Sequence, residues 1–166
     1  MKYNSIGEYF YQLSNRCLGF TLLPMLCLLA VYGLSYFSLV ELPRVTVEEA
    51  DLPSYQAVIG GLILLMFLSL YFRVRGRTNK LITEPSLGAR MNGYSVVVLI
   101  RFRAFSIMLL IVGFVVFLST EISFLYQLIV PLLAVFHYWP SRARIAVDLK
   151  LKTEEKEILR QDTLGV

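Results

Sequence analysis

The residues of this chain best suited to chemistry are two arginines and two ring-bearing side chains at the mouths of apolar runs. Arg101 and Arg103 enter one such run, and His137 and Trp139 leave the next. A guanidinium fork matches the oxygens of a phosphate and also stacks on indole, so these four read as a candidate pocket for a phosphate-bearing lipid headgroup. A plainer reading competes with it. Tyr and Trp rings are apolar while their O–H and N–H groups need water, so a basic and aromatic belt marks any membrane boundary.

Other chemistry has little material. His137 is the only histidine, without a second histidine or a nearby cysteine to complete a zinc or haem set, and no cofactor or metal is expected. Cys17 and Cys27 would stand about 15 Å apart along one helix, beyond the reach of a disulfide. The sequence has no P-loop, no G-x-S-x-G elbow, no H-E-x-x-H and no C-x-x-C. No catalytic residue is nominated, and an autonomous enzyme is disfavoured because nucleophile, base and metal ligands are not gathered in one place.

The elements that must position these residues are four apolar stretches, 17–40, 55–72, 94–119 and 122–139, each close to the length that crosses a bilayer's hydrocarbon core. With 57% apolar and 17% charged residues, the chain reads as an all-α integral membrane protein. The expected architecture is a four-helix transmembrane bundle of two antiparallel hairpins. Residues 1–16 form an expected interfacial amphipathic segment, with Tyr3, Ile6, Tyr9, Phe10 and Leu13 at helical spacing. Residues 17–139 make the four-span domain and 140–166 a charged tail. Little chain remains for a folded domain outside the membrane.

All but Arg44 of the 16 basic residues fall before the first stretch, around and between the second and third, or after the fourth. Short loops rich in Lys and Arg stay cytoplasmic, so both termini are expected on the cytoplasmic side. The opposite loop, 41–53, carries Glu41, Glu48, Glu49 and Asp51 and reads as a solvated acidic surface. Measured down from Ser119 at the helical rise, Arg101 lies about 27 Å and Arg103 about 24 Å away. Both then sit near the inner boundary of a core about 30 Å thick, where snorkelling makes them interfacial anchors. Two positions apart is about 200° around a helix, so they cannot share a face.

Ala57 and Gly61 form a small-x-x-x-small pair beside Gly60, and Gly113 offers a second notch, so these four are the expected sites of close helix packing. The segment 73–92 mixes bases with Gly76, Pro85 and Gly88 and is expected to be irregular, with a short helix starting near Pro85. In the tail, Ile145, Val147, Leu149 and Leu151 alternate imperfectly with polar residues, so strand periodicity competes with a helix, and Thr153 then opens a short helix with Glu154 and Glu155 in its first turn. The apolar edge of Ile158 and Leu159 suits docking, either to another protein or to the chain's own inner loops.

Three functions remain as expectations. The leading one is an accessory or scaffold subunit of a larger membrane complex, which fits the thin polar inventory of the stretches. The alternatives are an oligomeric small-solute transporter or channel, and a lipid-binding or lipid-modifying protein that uses the Arg, His and Trp belt. No carboxylate lies near mid-membrane, which disfavours ion-coupled transport. The expected partners are the bilayer, anionic phospholipid, and other membrane subunits or further copies of the chain. Nucleic acid is not expected, since no base-reading motif accompanies the basic residues. The expected location is the cytoplasmic (inner) membrane.

Overall fold

The computed structural model describes residues 5–37, 48, 50–119 and 122–160. Among them all regular structure is helical: α1 (Ile6–Tyr36), α2 (Leu52–Ile82), α3 (Leu87–Ser119), a 3₁₀ turn (Ile122–Leu125), α4 (Tyr126–His137), α5 (Arg142–Asp148) and α6 (Thr153–Arg160). Three of these, α1, α2 and α3, are long and apolar enough to cross a membrane. The fourth apolar stretch is a shorter helix of 12 residues behind its 3₁₀ turn. It stops at His137 because Pro140 lacks an N–H and disfavours helical backbone in the residue before it. Residues 41–47 and 49 of the acidic loop, and residues 120 and 121 at the centre of the tight connection, lie outside the described residues.

Local signals explain the helix ends. The Ser5 hydroxyl accepts from the Glu8 N–H at 3.1 Å, a Ser-x-x-Glu start for α1. Pro53 sits in the first turn of α2, where its missing N–H costs nothing. The Ser141 hydroxyl accepts from the Arg144 N–H at 3.2 Å and starts α5. Before α6, the Lys152 N–H donates to Glu155 at 2.9 Å, so the side chain of the third helical residue reaches back over the first turn.

The central post is α3, which is apolar around its circumference and packs against α1, α2 and α4. Its buried stripe runs through Met91, Tyr94, Val98, Arg101, Phe105, Met108 and Val112, spaced three or four residues apart. By contrast, Leu23, Leu26 and Leu29 of α1 and Val58, Leu64 and Leu65 of α2 are exposed, as helix faces turned to lipid would be.

The expected packing glycines divide. A methyl group at Gly113 would collide with the Leu28 side chain of α1, whereas one at Gly61 meets open space and one at Gly60 only brushes the Gln127 amide at 3.9 Å. Ala57 is exposed. Gly113→Val is therefore expected to cost about 1–3 kcal/mol of stability through overpacking, and Gly61→Val less than about 0.5 kcal/mol. Thermal unfolding of both variants in detergent measures the contrast. Equal midpoints would contradict it.

Two expectations are corrected at the basic end, and one open choice is decided. The first helix begins at Ile6 and runs unbroken through the boundary at residue 16, and Ile6, Tyr9 and Leu13 are buried in protein instead of lying on a membrane surface. The Tyr9 hydroxyl donates to the Met91 carbonyl at 2.8 Å. The segment 73–92 is mostly helix, because α2 continues to Ile82 and α3 resumes at Leu87. Residues 73–82 thus extend α2 by about 15 Å past its apolar stretch. In the tail the helix prevails over the strand pattern: α5 and α6 fold back under the bundle, and Ile145, Leu149, Leu151 and Leu159 join Ile6, Tyr9, Met91 and Tyr94 in one core. The result is a packed helical layer beyond the apolar spans, built from the helices' own extensions.

Candidate functional site

Arg101 is no snorkelling anchor. It lies on the buried stripe of α3, only 7% exposed, and its Nη1 donates to Asp148 Oδ2 at 2.8 Å and to the Tyr94 hydroxyl at 3.3 Å. Tyr94 in turn donates to the same carboxylate oxygen at 2.6 Å. Arg144, one turn before Asp148 on α5, brings Nε to 3.3 Å from the other oxygen. Both guanidinium groups stand over the Tyr138 ring, at 4.8 Å and 4.7 Å from its centroid. A charge removed from water needs this much compensation, since an unpaired one would be strongly destabilising.

The four residues singled out for a headgroup pocket do not converge. His137 is exposed and joins the Arg101 network only at its edge, where Arg144 Nη1 lies 3.2 Å from its Nε2. Arg103 is on another face of α3, over the Phe20 ring of α1 at 5.3 Å. Trp139 packs edge-on against Phe102 at 5.7 Å. The 200° separation of the two arginines accounts for this dispersal.

A different site takes their place. A cavity of about 470 Å³ opens between the second half of α2 and a wall made by α3, the end of α4 and the α5 turn. Towards the middle of the bundle its lining is apolar: Phe67, Leu68, Leu70 and Phe105. Towards the basic end it becomes polar, with Arg75, Thr78 and Asn79 from α2 facing Arg101, Arg144, Asp148 and Lys150. Four cations against one carboxylate leave a strongly positive rim. Thr78 is 8% exposed, and its hydroxyl has no hydrogen-bond partner among the described residues. Arg75 donates to the Tyr71 hydroxyl at 2.7 Å.

Sequence reasoning missed Asp148, Tyr94, Tyr138, Arg144, Arg75, Thr78 and Lys150. One signal was present: Arg101 falls on the three-and-four spacing of Tyr94, Val98, Phe105 and Met108, which marks the face that must be buried. Its partner lies 47 residues away on a separate helix, where no local pattern points to it.

A second strut holds the tail. Arg90 donates to Glu155 through both terminal guanidinium nitrogens, Nη1 to Oε2 at 3.3 Å and Nη2 to Oε1 closer. The Glu155 carboxyl is held below its ordinary value of 4.5, first by the Arg90 hydrogen bond and then by the Lys152 N–H. A carboxyl depressed on folding contributes stability that is fully present above its unfolded value and is lost as pH falls through the folded one. Protease resistance of the tail is therefore expected to decline below about pH 4.5, and Glu155→Gln to flatten that decline. An unchanged pH profile in the variant would assign the sensitivity to another group.

No family model matches the chain, and comparison with curated proteins and with solved structures finds no significant similarity, so function rests on the geometry of the cleft.

Proposed function

We propose that this chain is a four-span membrane protein, both termini cytoplasmic, that holds an anionic, phosphate-bearing amphiphile in the cleft between α2 and the tail. The observation that carries the reading is the gradient along the cleft, from the apolar Phe67, Leu68, Leu70 and Phe105 to the basic rim with its unpartnered Thr78 hydroxyl. An amphiphile has the same polarity gradient: a chain that prefers Phe and Leu, and a head that prefers Arg and Lys. The volume of about 470 Å³ falls in the usual range of ligand pockets, about 300–1,000 Å³. Each base near an anionic headgroup contributes about 1 kcal/mol, enough for selection over zwitterionic lipid when several converge. In this reading the basic rim stands at the level of the lipid headgroups.

The test is lipid retention. Protein extracted from vesicles of phosphatidic acid and phosphatidylcholine should keep the acidic lipid in native mass spectrometry well above its mole fraction. Retention equal to the vesicle composition would remove the reading.

A second reading, an accessory subunit within a membrane complex, is supported by the open notch at Gly61 on the exposed face of α2. Small residues let helix backbones approach closely, and nothing in the described chain fills this one. The tail offers less to such a partner, because Ile145, Leu149 and Leu159 are already buried. A partner recovered with the wild-type chain in mild detergent and lost with Gly61→Leu would support it.

A further inference from the structure

Lys150 has the only positive φ of a non-glycine residue among those described, at 50°. It sits one residue past the cap of α5, where the Leu151 N–H bonds to the Ala146 carbonyl at 3.0 Å and the Lys150 N–H to the Val147 carbonyl at 3.2 Å. This is the Schellman termination, which glycine favours because a β-carbon is crowded in left-handed backbone. Leu151 is buried on the far side, so the turn cannot relax without losing that contact. A lysine thus occupies a position whose local energetics ask for glycine, and its side chain lines the cleft.

The other rim cations are differently employed. The guanidinium groups of Arg101 and Arg144 are turned to Asp148 and stacked on Tyr138. Arg75 and Lys150, on opposite walls, have no acidic partner among the described residues. The orphaned Thr78 hydroxyl, one helical turn from Arg75 on α2, lines the same cleft.

Resting on the amphiphile reading above, we propose that Lys150, Arg75 and Thr78 are the phosphate-contacting set of the cleft, and that the left-handed Lys150 is retained for that contact at the expense of stability. Arg101 and Asp148 form the scaffold that fixes the α5 turn in place and do not grip the phosphate. The ligand is an oxyanion of the phosphate-ester class; its source is either a lipid headgroup or a soluble ester.

The experiment pairs stability with binding in the full chain. Lys150→Gly should raise the thermal midpoint by about 2–4 °C. The same substitution should weaken phosphatidic acid binding about 5-fold, the effect of losing one cation near an anionic head. Arg73→Gln removes an equal charge from the exposed α2 surface outside the cleft and should leave binding within about twofold. A Lys150→Gly protein that binds as wild type does, or that melts lower than wild type, overturns the assignment while wild-type retention of phosphatidic acid keeps the cleft as a lipid site. Wild-type protein with no preference for phosphatidic acid overturns both. Competition by millimolar inorganic phosphate would assign the site to soluble esters, and its absence would assign it to lipid.

Discussion

Asp148→Leu is expected to destabilise the protein by about 3–5 kcal/mol, and Arg101→Met by about 3 kcal/mol, while the double variant recovers part of that cost and stays about 1–3 kcal/mol below wild type. The asymmetry follows from what each change strands. Without Asp148, a guanidinium buried on the α3 stripe loses its carboxylate and keeps the Tyr94 hydroxyl and the Tyr94 and Tyr138 rings. Without Arg101, the carboxylate still has Tyr94 and Arg144. Side-chain exposures of 9% and 12% make solvent screening a small correction, so the cost of an uncompensated charge applies nearly in full. Methionine and leucine together replace the ion pair with apolar volume, which interiors accept at little net cost, and the cost that remains is the buried Tyr94 hydroxyl left without either partner. Trp139, the only tryptophan, packs on Phe102 beside this network and reports unfolding by fluorescence in detergent. A coupling energy below about 0.5 kcal/mol in the double-mutant cycle would mean the pair is solvated, and would remove the scaffold role given to it.

How much of this was legible beforehand differs by element. The spans were legible because apolar length and composition are local properties, and α1, α2 and α3 carry them. Depth along the helix makes Arg101 an anchor, whereas its place on the buried stripe of α3 decides its partners. At the same height Arg103 is exposed over Phe20, and only the side of the helix separates their fates. The tail was ambiguous for a different reason. Alternation of Ile145, Val147, Leu149 and Leu151 imitates a strand, yet Val147 is 70% exposed while Ile145 and Leu149, one helical turn apart, are buried. The Schellman turn at Lys150 then resets the phase so that Leu151 points inward again. A helix followed by a left-handed residue thus aliases to a period of two. The cleft could not be seen at all, since its walls come from α2 and from a turn about 70 residues later.

Because that turn supplies one wall, the cleft should exist only while the tail is docked. Leu149→Ala is expected to cost about 2–5 kcal/mol, the usual range for truncating a fully buried leucine, and Ile145→Asp more, since a carboxylate would enter an apolar core without a partner. Limited trypsin digestion measures the consequence. Arg142, Arg144, Lys150 and Lys152 all fall within the docked segment, so wild-type protein should be cut slowly there and the Ile145→Asp variant at the rate of an unfolded peptide. Retention of phosphatidic acid should fall in step, because the undocked tail carries Arg144, Asp148 and Lys150 away from Arg75 and Thr78. The two readouts separate attachment from binding: a variant that is cut quickly yet still retains the acidic lipid would place the lipid elsewhere on the basic end. A wild-type tail cut as fast as the variant would show that four buried apolar side chains and two ion pairs do not hold it, and both the layer beneath the bundle and the cleft above it would go together.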